Sequence, residues 1–423
     1  MKRPPPYALS ELVGALKVDQ GVSGTAEHVT VSGVSIDSRT LQAGEVFFAI
    51  KGERCDGHDY IATACHQGAV AAVVDRGWRG HAPKDIPILR VEDTTIALGH
   101  WAHSVRHNTD YRVIAITGSV GKTSTRHMLA HVIGQTHACW QAPRNFNNQI
   151  GLPLTLLSAP LGTEVVVAEL GTNRPGEIGY LSSIAQPDIA VVTNVGPAHL
   201  EGFGNVAAIA QEKMSITDGL RPSGILVAGM DSPDLADALA TNGRQAVTFG
   251  LNENATIRPE AVSYHATGST ITLQNIVMDL PLPGPGNVQN ALACWAVCSS
   301  MGMDLSTFQQ ALTTLSPVPM RMEWLELGPV TVISDCYNAN PVSMRNVLET
   351  LAGADPTRTR RRVFVCGDMA ELGPRAGQLH ADLGEAIASA GVETVIAVGP
   401  LAAQAAEAAK SAASETLVTH CLP

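Results

Sequence analysis

The stretch that most constrains how this chain can fold is VIAITGSVGKTSTRHML, residues 113–129. An apolar run stops at Gly118, a second glycine follows at Gly121, and Lys122, Thr123 and Ser124 come directly after it. The expected elements are a strand, a tight turn and a helix. A helix N-terminus presents unbonded backbone N–H groups and the positive end of its dipole, so anions bind there. Glycines let the backbone approach a phosphate closely. Lys122 can reach β- and γ-phosphates, and the Thr123 hydroxyl suits Mg²⁺. Thr117, Gly118, Ser119, Val120, Gly121, Lys122, Thr123 and Ser124 are therefore candidate nucleotide contacts. The strict phosphate-loop pattern carries a further glycine ahead of the Gly-Lys pair; here Ile116 holds that position. The loop points to a nucleotide phosphate and is silent on the reaction.

Such a loop belongs to a parallel sheet, and the surrounding texture agrees. Near-continuous apolar runs YRVIAIT, EVVVAEL, DIAVVTNV and GILVAGM alternate with helical stretches, as strands covered on both faces do. Met128, Leu129, Val132 and Ile133 share one face of the helix after Lys122. Residues 256–283 alternate like antiparallel strands, and NVQNALACWAVCSSMG reads as a helix ending at Gly302. At 423 residues the chain exceeds one ordinary core, and two or three domains are expected. Residues 1–107 carry short strand signals (GVSIDSRT, GEVFFAI, AVAAVVD, IPILRV) and a closing helix, a small α/β domain. Residues 108–316 form the central α/β unit. Residues 317–423 show βαβ texture again, in VTVISDCYNANP, a helix from about Ser343 to Leu351, RRVFVCGDMAELG and ETVIAVG. The basic run RTRRR at 358–362 reads as a solvated loop before a strand.

Ligands in parallel sheets bind beyond the C-terminal strand ends. Glu169 ends one apolar strand, and a carboxylate there can hold a metal beside the phosphates. His199 and Glu201 follow another. Lys213 lies on a helix with Ile209 and Ile216, and spacing alone makes it a solvated lysine. Asn287 and Asn290 fall at a helix start, where asparagine caps. Arg321, and the cluster Asp335, Tyr337, Asn338 and Asn340 past a strand, are weaker signals, as is GDMAELG.

Taken together the motifs are more specific. ITGSVGKTS, NFNNQIGLPLTLL, AELGTNRPGEIGYL, TNVGPAHLEGFGN, DCYNANPVSM and GDMAELG, in this order from about Val34 to Gly399, closely resemble the Mur ligase family, in its D-alanyl-D-alanine-adding branch. The resemblance implies three domains: a UDP-sugar-binding domain, a central P-loop ATPase-like domain and a Rossmann-like C-terminal domain for the incoming amino substrate. It implies that ATP phosphorylates the carboxylate of UDP-N-acetylmuramoyl-tripeptide, and that D-alanyl-D-alanine displaces the phosphate, in peptidoglycan precursor synthesis. Like charges must then be brought together, which needs Mg²⁺. Lys122, Thr123 and Glu169 match phosphate and first-metal positions, His199 a second-metal position, and Lys213 the lysine the family carbamylates. Asn290, Arg321 and Asp335 match ATP-contact positions. Ser38 and Arg39, in DSRTLQAGEVFFAIKGERCDGHDYI, match the UDP-sugar side, and Asn145, Asn147, Asn148, Thr172 and Asn173 other substrate segments. Tyr337, Asn338 and Asn340 are expected near the dipeptide. Two departures stand out. Gly286 occupies a place where many relatives have histidine, and after LVTHCLP relatives usually continue with another strand and a basic stretch, so a shortened third domain is expected.

Other function classes fit less well. A net charge of −11 argues against a general nucleic-acid binder. No run approaches about 18 uninterrupted apolar residues, so no membrane insertion is expected. Eight scattered cysteines without a Cys-x-x-Cys pair, Cys294 and Cys298 reading as core residues, suit a reduced, cytoplasmic protein, and a monomer is expected. Another Mur ligase, or a folylpolyglutamate-synthase-like ligase, would share the central domain. A nucleotide-binding relative without catalysis would not need Lys122, Glu169, His199 and Lys213 together. Hinges are expected near residues 108 and 317.

Overall fold

A computed structural model describes residues 6–16, 18, 29–81, 83, 86–143, 145–354, 359–413 and 418–422. Its centre is a six-stranded sheet in the order Ala246–Phe249, Ile225–Gly229, Ile189–Val192, Arg112–Thr117, Val165–Glu169, Cys139–Gln141. Every pairing in it is parallel. The Arg112–Thr117 strand lies inside the sheet with both edges paired, and core layers cover both its faces. Val113 and Ala115 pack into one core cluster, and Ile114 and Ile116 into another on the opposite face. The period-two alternation thus divides the interior into two layers. Helix Lys122–Ile133 buries Met128, Leu129, Val132 and Ile133 in the second layer, against helix Pro285–Ser300 with Cys294 and Cys298. Helices Gly151–Leu157, Glu177–Ala185 and Val206–Met214 fill the first. Strands Ala261–His265, Gly268–Leu273 and Ile276–Leu280 form the expected antiparallel sheet.

The first domain has a four-stranded parallel sheet, Gly33–Ser35, Glu45–Phe48, Ala71–Asp75 and Ile88–Val91, followed by helix Thr94–His107. That helix packs on Gly151–Leu157 and Glu177–Ala185 of the central domain. Arg106, 0% exposed, fastens the junction. Its guanidinium donates to Asp188 Oδ2 at 2.7 Å and to the carbonyls of Ala185, Gln186 and Tyr111 at 3.0, 3.0 and 2.9 Å.

The third domain has a three-stranded parallel sheet, Val363–Gly367, Thr394–Val398 and Val418–Leu422, with helices Pro341–Ala354, Ala376–Ser389 and Pro400–Ala412. Two expectations need correcting. Strand Val330–Ser334 is not in this parallel sheet but pairs antiparallel with Glu323–Leu327; a tight turn at Gly328, φ 64, joins them. In the basic run, Arg358 lies outside the described residues, and Arg362 is buried and not solvated. Arg362 donates to Ala390 O at 2.6 Å and Ala352 O at 3.1 Å, tying the strand start to two helices. Among the described residues no helix is long and apolar enough to cross a membrane.

Candidate active site

The phosphate loop is shaped by its two glycines. Gly118 has φ 151 and Gly121 φ 84. A Cβ at Gly118 would stand 1.8 Å from Thr193 Oγ1, and one at Gly121 2.4 Å from Asn290 Oδ1. No other residue fits either place without displacing a neighbour. The neighbouring strand end braces the turn: Thr193 Oγ1 donates to Val120 O at 2.7 Å, and Asn194 Oδ1 accepts from Val120 N at 3.0 Å. Ser119 Oγ reaches Gly196 O at 3.1 Å. The Thr117 hydroxyl is buried with no partner among the described residues. Lys122 folds back so that Nζ donates to Gly118 O at 2.7 Å.

Beside the loop, Glu169 ends its strand 2% exposed. Thr123 Oγ1 donates to its Oε2 at 3.2 Å, and Arg126 Nε to its Oε1 at 2.7 Å. Arg126 also donates to Gln141 Oε1 at 2.9 Å and to the Ala142 carbonyl. The motif reading missed Arg126, although its place three residues after Thr123 puts it on the same helix face. The Asn287 and Asn290 readings also change. Both lie inside helix Pro285–Ser300, whose N-cap is Gly284, so they do not cap it. Asn290 Oδ1 instead accepts from Thr125 Oγ1 at 3.2 Å, behind Gly121. A Cβ at Gly286 would crowd Asn346 Nδ2 at 2.9 Å, a third-domain side chain that fills the space.

Lys213 is the largest departure from expectation. It is 1% exposed, and its side chain has no hydrogen bond or ion pair among the described residues. Burial, with the Lys122 cation nearby, pulls its amine down from 10.5 to about 7; Glu212 opposes the shift. Glu212 is committed elsewhere, accepting from Gly176 N and Ile178 N at 2.7 and 2.8 Å. Burial also lowers Lys122, partly offset by Glu169. It lowers His199 too, against the contrary pull of the Glu371 carboxylate that touches its Nδ1. Asp335 is pushed up to about 6 by burial, although Met322 N and Arg321 favour its charge. Arg321 lies over the Tyr337 ring, 4.1 Å from its centre.

These groups border a cleft of about 650 Å³ between the domains. Ser119 to Ser124, Asn145, Asn147, Asn148, Thr172, Asn173, His199, Asn290, Arg321, Asp335, Tyr337, Asn338 and Asn340 line it. Glu53, Asn194 and Glu177 line it as well, unforeseen. Several asparagines are held by local turns: Asn148 Oδ1 accepts from Gly151 N at 2.9 Å just ahead of helix Gly151–Leu157, and Asn340 Oδ1 accepts from Ser343 N at 2.9 Å at the start of helix Pro341–Ala354. Thr172 and Asn173 are held by Glu177 Oε2, at 3.1 and 2.7 Å. Thr117, Gly118, Glu169 and Lys213 lie behind the lining. Ser38 and Arg39 are not part of it; Ser38 is buried, and Arg39 pairs with Asp37 at 2.7 Å.

Residues 30–105 match the Mur ligase family catalytic domain, 116–298 the Mur ligase middle domain and 320–421 the Mur ligase glutamate ligase domain. The UDP-N-acetylmuramoyl-tripeptide–D-alanyl-D-alanine ligase of Escherichia coli K12 is 38% identical over 378 residues, 88% of this chain and 82% of that protein. A crystal structure of MurF from Acinetobacter baumannii superposes with a TM-score of 0.87 at 30% identity, covering 99% of this chain and 90% of that one. MurF from Thermotoga maritima, solved with ADP, gives 0.80 at 29% identity, covering 92% and 88%. The chain belongs to the Mur ligase family.

Proposed function

We propose that this chain is an ATP-dependent ligase that joins D-alanyl-D-alanine to UDP-N-acetylmuramoyl-tripeptide, a step of peptidoglycan precursor synthesis in the cytoplasm. The observation that carries the reading is the whole-length likeness to ligases of that name, combined with a cleft whose lining comes from all three domains. The domains we assign are 1–107 for the UDP-sugar, 108–316 for ATP and 317–423 for the dipeptide.

The Gly118–Thr123 loop and Lys122 would hold the nucleotide phosphates, with Asn290, Arg321 and Asp335 bordering the rest of the nucleotide. Asn145, Asn147, Asn148, Thr172 and Asn173 would orient the tripeptide so that its carboxylate meets the γ-phosphate. The carboxylate oxygen attacks phosphorus, ADP leaves, and an acyl phosphate forms. The dipeptide amine, held near Tyr337, Asn338 and Asn340, attacks the acyl carbon; the tetrahedral intermediate expels phosphate and loses a proton. Ser38 and Arg39, on the first domain, would meet the UDP-sugar. Positioning and charge stabilisation supply most of the rate.

The donor set fits Mg²⁺. The Thr123 hydroxyl and Glu169 carboxylate are adjacent hard oxygens, and Mg²⁺ commonly takes one or two carboxylates with substrate phosphates. Among the described residues no three His, Cys, Asp or Glu form a metal cage of their own, which suits a site completed by the nucleotide. Bound there, Mg²⁺ neutralises phosphate charge. His199 and a carbamylated Lys213 would be the further ligands. The low pKa of Lys213 favours the neutral amine that CO₂ requires, and carbamylation converts a repelling cation into an oxygen ligand.

The test is phosphate release by the purified protein with ATP, Mg²⁺, UDP-N-acetylmuramoyl-tripeptide and D-alanyl-D-alanine. Release that depends on both substrates supports the reading. Release with a single amino acid replacing the dipeptide reassigns the chain to another Mur ligase, and nucleotide binding without turnover to a non-catalytic relative.

A further inference from the structure

One third-domain side chain that touches the central site lies in the GDMAELG motif, and neither the sequence reading nor the mechanism above gives it a role. Glu371 lies in the loop after strand Val363–Gly367. Its carboxylate contacts His199 Nδ1, and its carbonyl accepts from Glu201 N at 3.0 Å. His199 and Glu371 are both non-glycine residues in left-handed backbone, φ 57 and 61. Such conformations are strained and persist where the surroundings hold them. Here the surroundings are firm. Met369 and Leu372, each 1% exposed, flank Glu371. Met369 N donates to the buried His380 Nε2 at 3.0 Å. A Cβ at Gly373, φ 58, would stand 3.3 Å from Glu201 Cα, so the two loops meet nearly backbone to backbone.

A carboxylate accepts and does not donate, so the hydrogen shared with His199 sits on Nδ1. The other ring nitrogen, Nε2, then keeps its lone pair. Metal-binding histidines usually have this arrangement, with the far nitrogen donating to a carboxylate that sets tautomer and ring orientation. Here the carboxylate arrives from a different domain. We propose that Glu371 is a positioning residue through which docking of the third domain fixes the Nε2-open tautomer of His199, so that the metal site is complete only when that domain is seated. The metal part of this inference rests on the function proposed above; the tautomer part does not.

The experiment uses the full chain labelled with ¹⁵N-histidine, without nucleotide or metal. The His199 signals are assigned by their loss in His199→Gln. Wild type should show an Nδ1-protonated ring. Glu371→Ala should move it to the Nε2-protonated form, and the near-isosteric Glu371→Gln, which guards against misfolding, to a mixture. In turnover assays Glu371→Ala should raise the Mg²⁺ concentration for half-maximal rate by about ten- to a hundred-fold, with KM for the UDP-peptide unchanged and Glu371→Asp partly restoring it. An unchanged tautomer in both variants, or a shifted tautomer with an unchanged Mg²⁺ requirement, overturns the proposal. A wild type with no dipeptide-dependent turnover refutes the proposed function instead, and the tautomer measurement still decides whether Glu371 acts on His199.

Discussion

The central domain meets its two neighbours through very different seams. At the first, a buried cation is fully matched: Arg106 has four oxygen acceptors, and its partner Asp188 also accepts from Val113 N at 2.7 Å. At the second, two lysines lack such partners, Lys213 buried and Lys122 half-buried on the cleft wall. The Lys213 side chain has none among the described residues and Lys122 leans on a backbone carbonyl, while His199 with the Glu371 carboxylate and Glu201 N with the Glu371 carbonyl are among the contacts that cross the seam. The linker into the third domain also carries Met320 and Met322 at φ 58 and 51. A satisfied buried cation holds two elements in one arrangement. Unsatisfied ones leave a demand for anions that phosphates or a carbamate can meet. The difference separates a junction built for stability from one built around ligands.

The largest test of this contrast is Arg106→Met. Removing one partner of a buried pair strands the other, at a cost of about 3–5 kcal/mol, so urea unfolding should shift to much lower concentration. A loss below about 1 kcal/mol would erase the distinction between the seams. Lys213→Met should act with the opposite sign. The folded amine titrates near 7 and the unfolded one at 10.5, so the folded state binds fewer protons between those values and stability rises with pH across that window. The penalty of burying Lys213 is complete below pH 7, on the order of 5 kcal/mol at about 1.4 kcal/mol per unit. In CO₂-free buffer the variant should therefore melt well above wild type at pH 6, and the gap should close towards pH 10. Parallel melting curves would mean that Lys213 is not buried as a free amine. Tyr337→Ala removes the ring beneath Arg321 and should cost about 0.5–1 kcal/mol, seen as a higher KM for the dipeptide together with a few-fold weaker ATP binding through the freed Arg321. Smallest is Met322→Gly. Relief of about 1 kcal/mol of left-handed strain is offset by about 0.5–1 kcal/mol of added chain entropy, so the melting temperature should barely move.

Much of the fold was legible because apolar periodicity reports directly on strands and helices. Val113–Ile116 and Met128–Ile133 packed as the pattern implied. Glu169 and the loop glycines were readable because a strand end beside a glycine turn is a local signature. Other features depend on what lies across a gap, which neighbours in sequence do not report. Nothing in IAQEKMSI distinguishes a buried Lys213 from a solvated one; burial is imposed by the elements packed around it. Arg362 sits in a run that looks hydrophilic, yet two helix-end carbonyls draw it inside. Asn290 looked like a cap because it lies near a helix start, while its partner is Thr125, 165 residues away. VTVIS has strand composition in either topology, and its antiparallel pairing follows from the short Gly328 turn.

The folded-back Lys122 has a thermodynamic consequence. A free lysine side chain surrenders up to about 2 kcal/mol of rotamer entropy when a ligand immobilises it. Here Nζ is already held on the Gly118 carbonyl. An arriving phosphate therefore exchanges one acceptor for a stronger, charged one, and most of the ordering precedes the encounter. Nucleotide capture by this loop should accordingly be governed more by the enthalpy of that exchange than by the loss of freedom in the chain.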